Sequence, residues 1–169
     1  YAVVDAENAV KVPYDDIDLG IVAPLGCGIQ TGAGTVLNRL KPEFGSSIVV
    51  FGCRTVGMSA IMAARIAGCA KIIGVGGNKK SLELALELGA THVINRKECD
   101  DIVGEIRKIT RGGANYSIDT SGVADFVRKG LHCLAPLGVE AIVGITPVME
   151  IDMFGELMAE GKTIMGVIE

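Results

Sequence analysis

A glycine turn between an apolar run and a helical segment has the residue types that could hold a phosphate. Residues 48–57 read Ile-Val-Val-Phe-Gly-Cys-Arg-Thr-Val-Gly. In such turns the first glycine allows a tight bend, the second lets the backbone approach a pyrophosphate, and the third lets the helix pack on the strand. Gly52 and Gly57 occupy the outer positions, and Arg54 occupies the middle one. The pattern predicts a bound nucleotide held by an altered turn, with the amides of a helix over 55–67 facing the phosphate.

Composition limits the classes of function that the chain can serve. Its 169 residues and 49% hydrophobic content predict one globular domain rich in buried strands. The net charge of −4 and the 4% aromatic content disfavour nucleic-acid binding. No apolar stretch reaches membrane-spanning length without glycine or charge, so no membrane partner is expected.

The cysteines and the first residue bear on location and completeness. Five cysteines without paired spacing, in a sequence without a signal segment, predict reduced thiols and a cytoplasmic protein. The chain starts with Tyr1 rather than Met and ends abruptly at Glu169. We therefore expect a piece of a longer polypeptide.

Apolar runs alternate with helical segments along the rest of the chain, and these elements must position the turn. After the strand that precedes Gly52, further strands are predicted over residues 71–75, 92–95, 115–119, 139–145 and 163–168. Helices are predicted over residues 55–67, 78–88, 100–109, 123–134 and 153–160. Six strands joined by helical crossovers predict an α/β fold, a doubly wound six-stranded parallel sheet of the Rossmann type with helices on both faces.

The first 45 residues do not follow this alternation. Residues 1–12 have the composition of a strand, and residues 25–34 form a glycine-rich turn that opens a helix ending before Pro42. We expect residues 1–45 to be a remnant of a neighbouring domain with a linking helix, and residues 46–169 to be the dinucleotide-binding domain.

One further stretch makes a family resemblance specific. Residues 24–34 read Pro-Leu-Gly-Cys-Gly-Ile-Gln-Thr-Gly-Ala-Gly and closely resemble the junction in zinc-dependent medium-chain alcohol dehydrogenases, especially the aryl-alcohol (benzyl alcohol) branch. The likeness continues through residues 60–64, 87–95 and 161–169, and so covers nearly the whole chain. It implies a cofactor domain from an enzyme whose catalytic domain is split around it.

The resemblance implies a zinc-assisted reaction in the longer enzyme. In that family the cysteine of the Gly-Cys-Gly turn binds the catalytic zinc, and Cys27 is the matching position. The family's other ligands, a cysteine and a histidine, would lie before Tyr1. Because a catalytic zinc needs three protein ligands, we expect this chain alone to bind zinc weakly or not at all. The implied reaction passes hydride between a primary (aryl) alcohol and NAD(P), with zinc polarising the alcohol oxygen, and we expect this chain alone to be inactive.

The resemblance and the turn together give a set of cofactor-binding candidates. Thr31 and Val56 are expected against the nicotinamide, and the loops after two later strands are expected to line that half of the groove because doubly wound sheets bind ligands at the carboxyl ends of their strands. The full set is Thr31, Gly52, Arg54, Thr55, Val56, Gly57, Gly76, Asn78, Lys79, Thr120, Ser121, Val143, Gly144, Ile145 and Ile168.

The end of the second strand bears on the choice between NAD and NADP. An acidic residue expected there would accept both ribose hydroxyls of NAD and repel a 2′-phosphate. The sequence has Gly76 instead, followed by Gly77, Asn78, Lys79 and Lys80. Without the carboxylate a 2′-phosphate is not repelled, and the two nearby lysines could attract it. The sequence at this point therefore favours NADP over NAD. The alternative is that the lysines are solvated charges opening a surface helix.

Arg54 leaves two alternatives open. Its guanidinium could contact the pyrophosphate or the 2′-phosphate through charge-assisted hydrogen bonds. Its side chain could equally crowd a position where the missing Cβ of glycine is the reason for its use. A domain that has lost its cofactor is the resulting third possibility.

Two other classes of function compete with the dehydrogenase. A non-catalytic dimerisation module is one, because an apolar last strand over 163–168 would be an exposed edge unless it paired with a copy of itself. In the resembling family this strand forms the subunit contact, so a homodimer or tetramer is expected in either case. A methyltransferase is the other, because it also begins with a strand, a glycine turn and a helix. It needs an acid after the second strand, however, and this sequence has Gly76 there.

Overall fold

Six parallel strands form one sheet in the computed structural model, which describes residues 3–168. The strands are β1 (Ser47–Phe51), β2 (Lys71–Gly76), β3 (His92–Asn95), β4 (Ala114–Asp119), β5 (Leu134–Ile142) and β6 (Thr163–Gly166). Their order is β3-β2-β1-β4-β5-β6, so the chain winds outward in both directions from β1 and β4. A crevice opens at the carboxyl ends of the strands where the winding direction reverses. The predicted fold class is confirmed.

Helices cover both faces of the sheet. They are α1 (Leu19–Val22), α2 (Gly28–Gly34), α3 (Thr55–Ile66), α4 (Lys79–Leu88), α5 (Ile102–Thr110) and α6 (Ala124–Cys133). Along β1, Ile48 and Val50 join a core cluster that includes Ile61 of α3, whereas Val49 and Phe51 join a second cluster on the opposite face. Successive side chains of a strand point to opposite faces, so a fully buried strand such as β1 must be apolar at every position.

Side-chain caps and left-handed residues define the ends of two crossover helices. The Asn78 side chain accepts a hydrogen bond from the Ser81 N–H at 3.2 Å where α4 begins, and Gly89 follows α4 with a φ of +128°. Asp101 accepts from the Gly104 N–H at 2.8 Å at the start of α5. These caps satisfy amides that have no partner within the helix, so the observed bounds lie close to the predicted ones.

The predicted strand over residues 1–12 is wrong for the residues that the structure describes. Residues 3–12 contain one 3-10 turn, Ala6–Asn8, and Tyr1 and Ala2 lie outside the described residues. Val3 and Val10 are exposed. Apolar residues alone do not make a strand, because the backbone of a strand needs a neighbouring strand for its hydrogen bonds.

The helix predicted before Pro42 is confirmed. After a 3-10 turn at Ala23–Gly26, α2 continues into a π-helical segment, Thr35–Leu40. Gly32 of α2 lies so close to α3 that a Cβ there would stand 2.1 Å from the Val56 carbonyl oxygen. Within residues 3–168 no single helix is long and apolar enough to cross a bilayer, although Leu19–Gly26 and Gly28–Leu40, bent by 43°, pass that test as a pair.

The elements after β4 differ in their bounds from the prediction. The strand β5 begins at Leu134, earlier than the predicted residue 139. It stops at Ile142 because the next two amides, those of Val143 and Gly144, both donate to the Asp119 carbonyl oxygen, at 2.9 and 3.0 Å. The predicted helix over 153–160 consists of a π-helical turn, Met153–Leu157, and a 3-10 turn, Met158–Glu160.

Two acidic side chains of the described residues are fully buried in the sheet, those of Asp119 and Glu140, and Glu140 is the one without a hydrogen-bond partner. It is 0% exposed and stands opposite Ser117 in the register of β4 and β5. Neither of its carboxyl oxygens, nor the Ser117 Oγ, has a hydrogen-bond partner among the described residues. The pKa of Glu140 is raised to about 9, chiefly by burial and also by the charge of Asp119, while the charge of Lys162 opposes the rise. The carboxyl group is therefore neutral at pH 7.

Candidate functional site

A cleft of about 520 Å³ lies at the carboxyl ends of the central strands. It is bounded by the turn after β1, the end of β2 and the loops that follow β3 and β4. Its lining residues are Gly52, Cys53, Arg54, Val75, Gly76, Gly77, Asn78, Ser81, Arg96, Lys97, Thr120, Ser121, Val123 and Phe126. The cleft lies where doubly wound sheets bind their ligands.

Both outer glycines of the turn are required by its geometry. Gly52 has a φ of +100°, and a Cβ there would stand 2.5 Å from the Thr120 Oγ1. A Cβ on Gly57 would stand 1.7 Å from the Gly52 carbonyl oxygen, because α3 begins directly against the end of β1. The Thr120 hydroxyl donates to the carbonyl oxygens of Phe51 and Gly52, at 2.9 and 3.1 Å, and so ties the turn to the loop after β4.

Arg54 stands at the middle position of the turn without backbone strain. It is the N-cap residue of α3, with a φ of −113° and a ψ of −166°, an extended conformation open to any residue. Its side chain is exposed and lines the cleft. Because arginine has no acceptor atom, α3 has no side-chain cap, unlike α4 and α5. The first amides of α3 are thus left for an anion or water.

The charge of the cleft is opposite in sign to that of the chain. Arg54, Arg96 and Lys97 line it, and no Asp or Glu of residues 3–168 does. No ion pair of the described residues includes any of these three cations. In a chain of net charge −4, an acid-free cleft with three cations favours an anionic ligand.

The end of β2 carries no acid at the position where one was expected. Gly76 and Gly77 both line the cleft. Asn78 also lines it, although its side-chain oxygen is used by the cap of α4. Lys79 opens α4 and does not belong to the lining residues. The nearest atom to a Cβ built on Gly76 would be the Leu82 Cδ2 at 3.1 Å, so the space at this position is small but is bounded by a flexible side chain.

The remaining cofactor candidates lie outside this cleft. Thr31 and Ile168 together line a smaller cavity of about 210 Å³ between α2 and the segment after β6. Thr55 and Val56 lie in the first turn of α3, where a Cβ on Gly28 would stand 2.8 Å from the Thr55 Cγ2. These four candidates therefore form two groups, Thr31 with Ile168 at the smaller cavity and Thr55 with Val56 at the start of α3.

A buried carboxylate orders the loop after β4, against which the loop after β5 packs. Asp119 accepts from the Ser121 N–H and hydroxyl, at 3.2 and 2.6 Å, and from the Gly122 N–H at 2.9 Å. A Cβ on Gly144 would stand 2.2 Å from the Gly122 nitrogen. Ile145 follows and is 98% exposed. Both carboxylate oxygens of Asp119 are thus engaged within the loop that contains Thr120 and Ser121.

Cys27 is exposed at the N-cap of α2, and the next residue, Gly28, lies close to Thr55 at the start of α3. Within residues 3–168 no group of three or more His, Cys, Asp or Glu side chains could hold a metal ion. The described residues therefore do not fit a complete zinc site.

Sequence reasoning missed several residues that line the cleft. Arg96 and Lys97 follow β3, and Phe126 lies in α6, after β4. Their place after consecutive parallel strands was the available signal. Cys53 also lines the cleft, but burial raises the pKa of its thiol to about 11, so it is protonated at neutral pH and fills space.

Comparison with known proteins places the chain in a family. The sequence profile described as "Zinc-binding dehydrogenase" matches residues 55–169, which is more than half of the chain. The chain belongs to the zinc-binding dehydrogenase family. Membership of this family favours the dehydrogenase interpretation over the methyltransferase and over a module without cofactor.

Individual relatives agree with this assignment. The chain is 41% identical over 145 residues to geraniol dehydrogenase of Castellaniella defragrans, covering 86% of this chain and 39% of that protein. It is 36% identical over 168 residues to a probable alcohol dehydrogenase of a Pseudomonas species, covering 96% and 52%. The crystal structure of benzyl alcohol dehydrogenase from Acinetobacter calcoaceticus superimposes with a TM-score of 0.85 at 43% identity, covering 94% and 44%. The chain thus spans about half the length of these relatives or less.

Proposed function

We propose that this chain is the NAD(P)-binding part of a zinc-type alcohol dehydrogenase that interconverts a primary (aryl) alcohol and its aldehyde. The observation that carries the proposal is the acid-free, cation-lined cleft at the uncapped N-terminus of α3. The substrate class is supported by the similarity to benzyl alcohol dehydrogenase and geraniol dehydrogenase, both of which are named for alcohols.

The residues of the cleft fit a dinucleotide. A bound nicotinamide dinucleotide accepts or donates the hydride in such a reaction. Gly52 and Gly57 allow the backbone and α3 to approach its pyrophosphate, and Arg54 adds a positive charge beside the first amides of α3. We assign the nicotinamide half to Thr31, Val56, Thr120, Ser121, Val143, Gly144 and Ile145, and we include Ile168 among the cofactor-binding residues.

Cys27 is proposed as one ligand of the catalytic zinc in the longer enzyme. A thiolate is a soft, charged donor that suits zinc. Because the described residues supply no set of three ligands, we propose that this chain alone does not retain the metal and has no alcohol dehydrogenase activity.

We propose that NADP is bound more tightly than NAD. The end of β2 has glycines where a carboxylate would repel a 2′-phosphate. Lys79 and Lys80 at the start of α4 add positive charge near this point.

Calorimetric titration of the chain with NADP and NAD tests the proposal. At low salt we expect both to bind and NADP to bind at least about tenfold more tightly, since a charge-assisted contact to phosphate is worth about 1.5–3 kcal/mol. Added salt should reduce the difference, because exposed charges are screened. Tighter binding of NAD would contradict the NADP preference, and binding of neither by the folded chain would contradict the cofactor proposal and support a module that has lost its cofactor.

The same titration on Arg54→Gly determines what Arg54 does. If Arg54 assists the pyrophosphate, the variant binds NAD and NADP more weakly by a similar factor. Tighter binding of both would show that Arg54 obstructs the turn.

We propose that the subunits associate through the last strand as a homodimer or tetramer. The strand β6 is at the edge of the sheet and pairs with β5 alone among the described strands. An unpaired strand edge is a template for another chain.

We propose a cytoplasmic location. The free thiols of the buried Cys53, Cys69 and Cys133 support it, because thiols stay reduced in the cytoplasm.

Gly166→Lys tests the proposed subunit contact. A Cβ at Gly166 meets nothing within 4 Å, so the fold should accept the lysine, and a charge on the edge should prevent pairing. Sedimentation velocity should give a dimer or larger species for the wild type and a monomer for the variant. An unchanged sedimentation coefficient in the variant, or a monomeric wild type, would contradict the contact.

A further inference from the structure

Arg96 lies at the end of the cleft where the acidic residue of the motif is missing. Its backbone N–H donates to the Gly76 carbonyl oxygen at 2.8 Å, which holds the residue beside the end of β2. Its side chain is exposed and lines the cleft. No ion pair of the described residues neutralises the guanidinium, so it is available to an anionic ligand.

The side chain of Arg96 occupies space that Gly77 leaves open. A Cβ built on Gly77 would stand 2.8 Å from the Arg96 Nε and 3.4 Å from both its Cγ and Cζ. Any residue larger than glycine at position 77 would compete with the guanidinium for this space. The second glycine at the end of β2 therefore has a steric role: it lets the arginine lie across the strand end.

Phe126 positions the guanidinium from the other side. The Arg96 Cζ lies 5.7 Å from the centre of the Phe126 ring, within the range of a cation–π contact. The ring itself packs 5.8 Å from the ring of Phe51, the last residue of β1. Arg96 thus reaches from the end of β3 past the end of β2 towards α6, with an aromatic ring against it.

The chemistry of this position identifies the ligand. At the end of the second strand an acid would accept the ribose hydroxyls of the adenosine. A planar guanidinium has only donors, and its paired N–H groups match two oxygens of a phosphate. We infer that Arg96 binds a phosphate monoester on the adenosine ribose of the dinucleotide, with Phe126 as its positioning residue. This inference rests on the proposed NADP preference and assigns that preference chiefly to Arg96 rather than to the lysines of α4.

A pair of small ligands isolates the phosphate contact. Adenosine 2′,5′-bisphosphate and 5′-AMP differ by the 2′-phosphate alone, and neither needs the nicotinamide half of the groove. By calorimetry we expect the wild-type chain to bind the bisphosphate about 10- to 100-fold more tightly than 5′-AMP. In Arg96→Ala the ratio should fall to within about threefold, with the affinity for 5′-AMP little changed.

Matched variants separate this contact from general charge and from folding. Lys108→Ala removes the same charge from an exposed side chain of α5 that pairs with Glu105, and it should keep the wild-type ratio. Arg96→Lys should keep a reduced ratio, because lysine retains the charge but lacks the planar pair of donors. Phe126→Leu should also reduce the ratio, since the guanidinium loses the ring that positions it. Circular dichroism of each variant should match that of the wild type.

The outcomes distinguish this inference from the proposed function. A wild-type chain that prefers the bisphosphate, with the same preference in Arg96→Ala, would overturn the role of Arg96 and leave the NADP preference intact. Equal binding of the two ligands by the wild type would overturn both. An equal loss of affinity for both ligands in Arg96→Ala, with the ratio unchanged, would place Arg96 against a group that the two ligands share, the adenine or the 5′-phosphate, and overturn the contact to the 2′-phosphate.

Discussion

Glu140→Met should make the chain more stable than the wild type by on the order of 3 kcal/mol at pH 7. The side chain of Glu140 is fully buried between β4 and α6, and a Cβ built on Gly130 would stand 2.2 Å from its Oε1. Burial raises its pKa from the usual 4.5 to about 9, so folding at pH 7 must restore a proton that the unfolded chain has released. Methionine has a similar length, needs no proton and needs no hydrogen-bond partner.

The effect should grow with pH in a defined window. The pKa of Glu140 is raised in the folded chain, so its protonated form is fully present in both states below about pH 4.5 and no stability is lost there. Between about pH 4.5 and 9 the free energy of unfolding of the wild type falls by about 1.4 kcal/mol for each pH unit. Above the pKa of the folded chain, Glu140 causes no further decrease. The advantage of Glu140→Met should therefore increase from pH 5 to pH 9.

Urea denaturation at pH 5, 7 and 9 measures this difference. Glu140→Gln removes the titration but leaves a buried amide without a partner, so its stability relative to Glu140→Met should not change with pH. Glu83→Met changes an exposed glutamate of α4 and should have little effect. A difference between Glu140→Met and the wild type that stays constant from pH 5 to pH 9 would contradict the raised pKa.

The sheet could be predicted from the sequence because its signals are local. Apolar runs, the caps at Asn78 and Asp101, and the glycine turn each act within a few residues of the chain. Because the crossovers are right-handed, the helices were expected on both faces of a parallel sheet; the order of the strands was not predicted. The segment before Pro42 was predicted less well, because a strand needs a partner, and apolar composition at Val3 or Val10 does not show whether one is present.

The cleft could be predicted only in part because its composition depends on contacts between distant elements. Gly52, Arg54 and Gly76 follow from their places after two strands. The role of Arg96 depends on the space above Gly77 and on a ring from α6, and neither can be read from the residues next to it. Glu140 was likewise predicted only as part of a strand, since burial on both faces is a property of the assembled sheet.

Gly76→Asp should reverse the preference of the chain from NADP to NAD. The carboxylate would accept the ribose hydroxyls of NAD, repel a 2′-phosphate and attract the guanidinium of Arg96 away from the ligand. A hydrogen bond gained to a charged group and a like-charge repulsion each amount to about 1.5–3 kcal/mol or more. We therefore expect the ratio of the two dissociation constants to shift by about 100-fold or more in favour of NAD.

The structure indicates that this substitution fits. A Cβ at Gly76 would meet the Leu82 Cδ2 at 3.1 Å and the Cys53 Cβ and Sγ at 3.5 Å. The nearest of these atoms is the end of a flexible side chain, so a shift of a few tenths of an ångström accommodates it. The backbone at Gly76 is that of a strand and needs no left-handed conformation.

Gly76→Asn separates the charge of the new side chain from its size. Asparagine fills the same volume without a negative charge, so it should lower both affinities by a similar factor and leave the preference for NADP in place. Parallel titrations of the two variants with NAD and NADP measure the ratio directly. If Asn and Asp shift the ratio equally, the effect is steric and the missing carboxylate does not determine the cofactor. If Asp alone shifts it, the charge at the end of β2 decides between the two cofactors, and Arg96 can bind the 2′-phosphate only because that charge is absent.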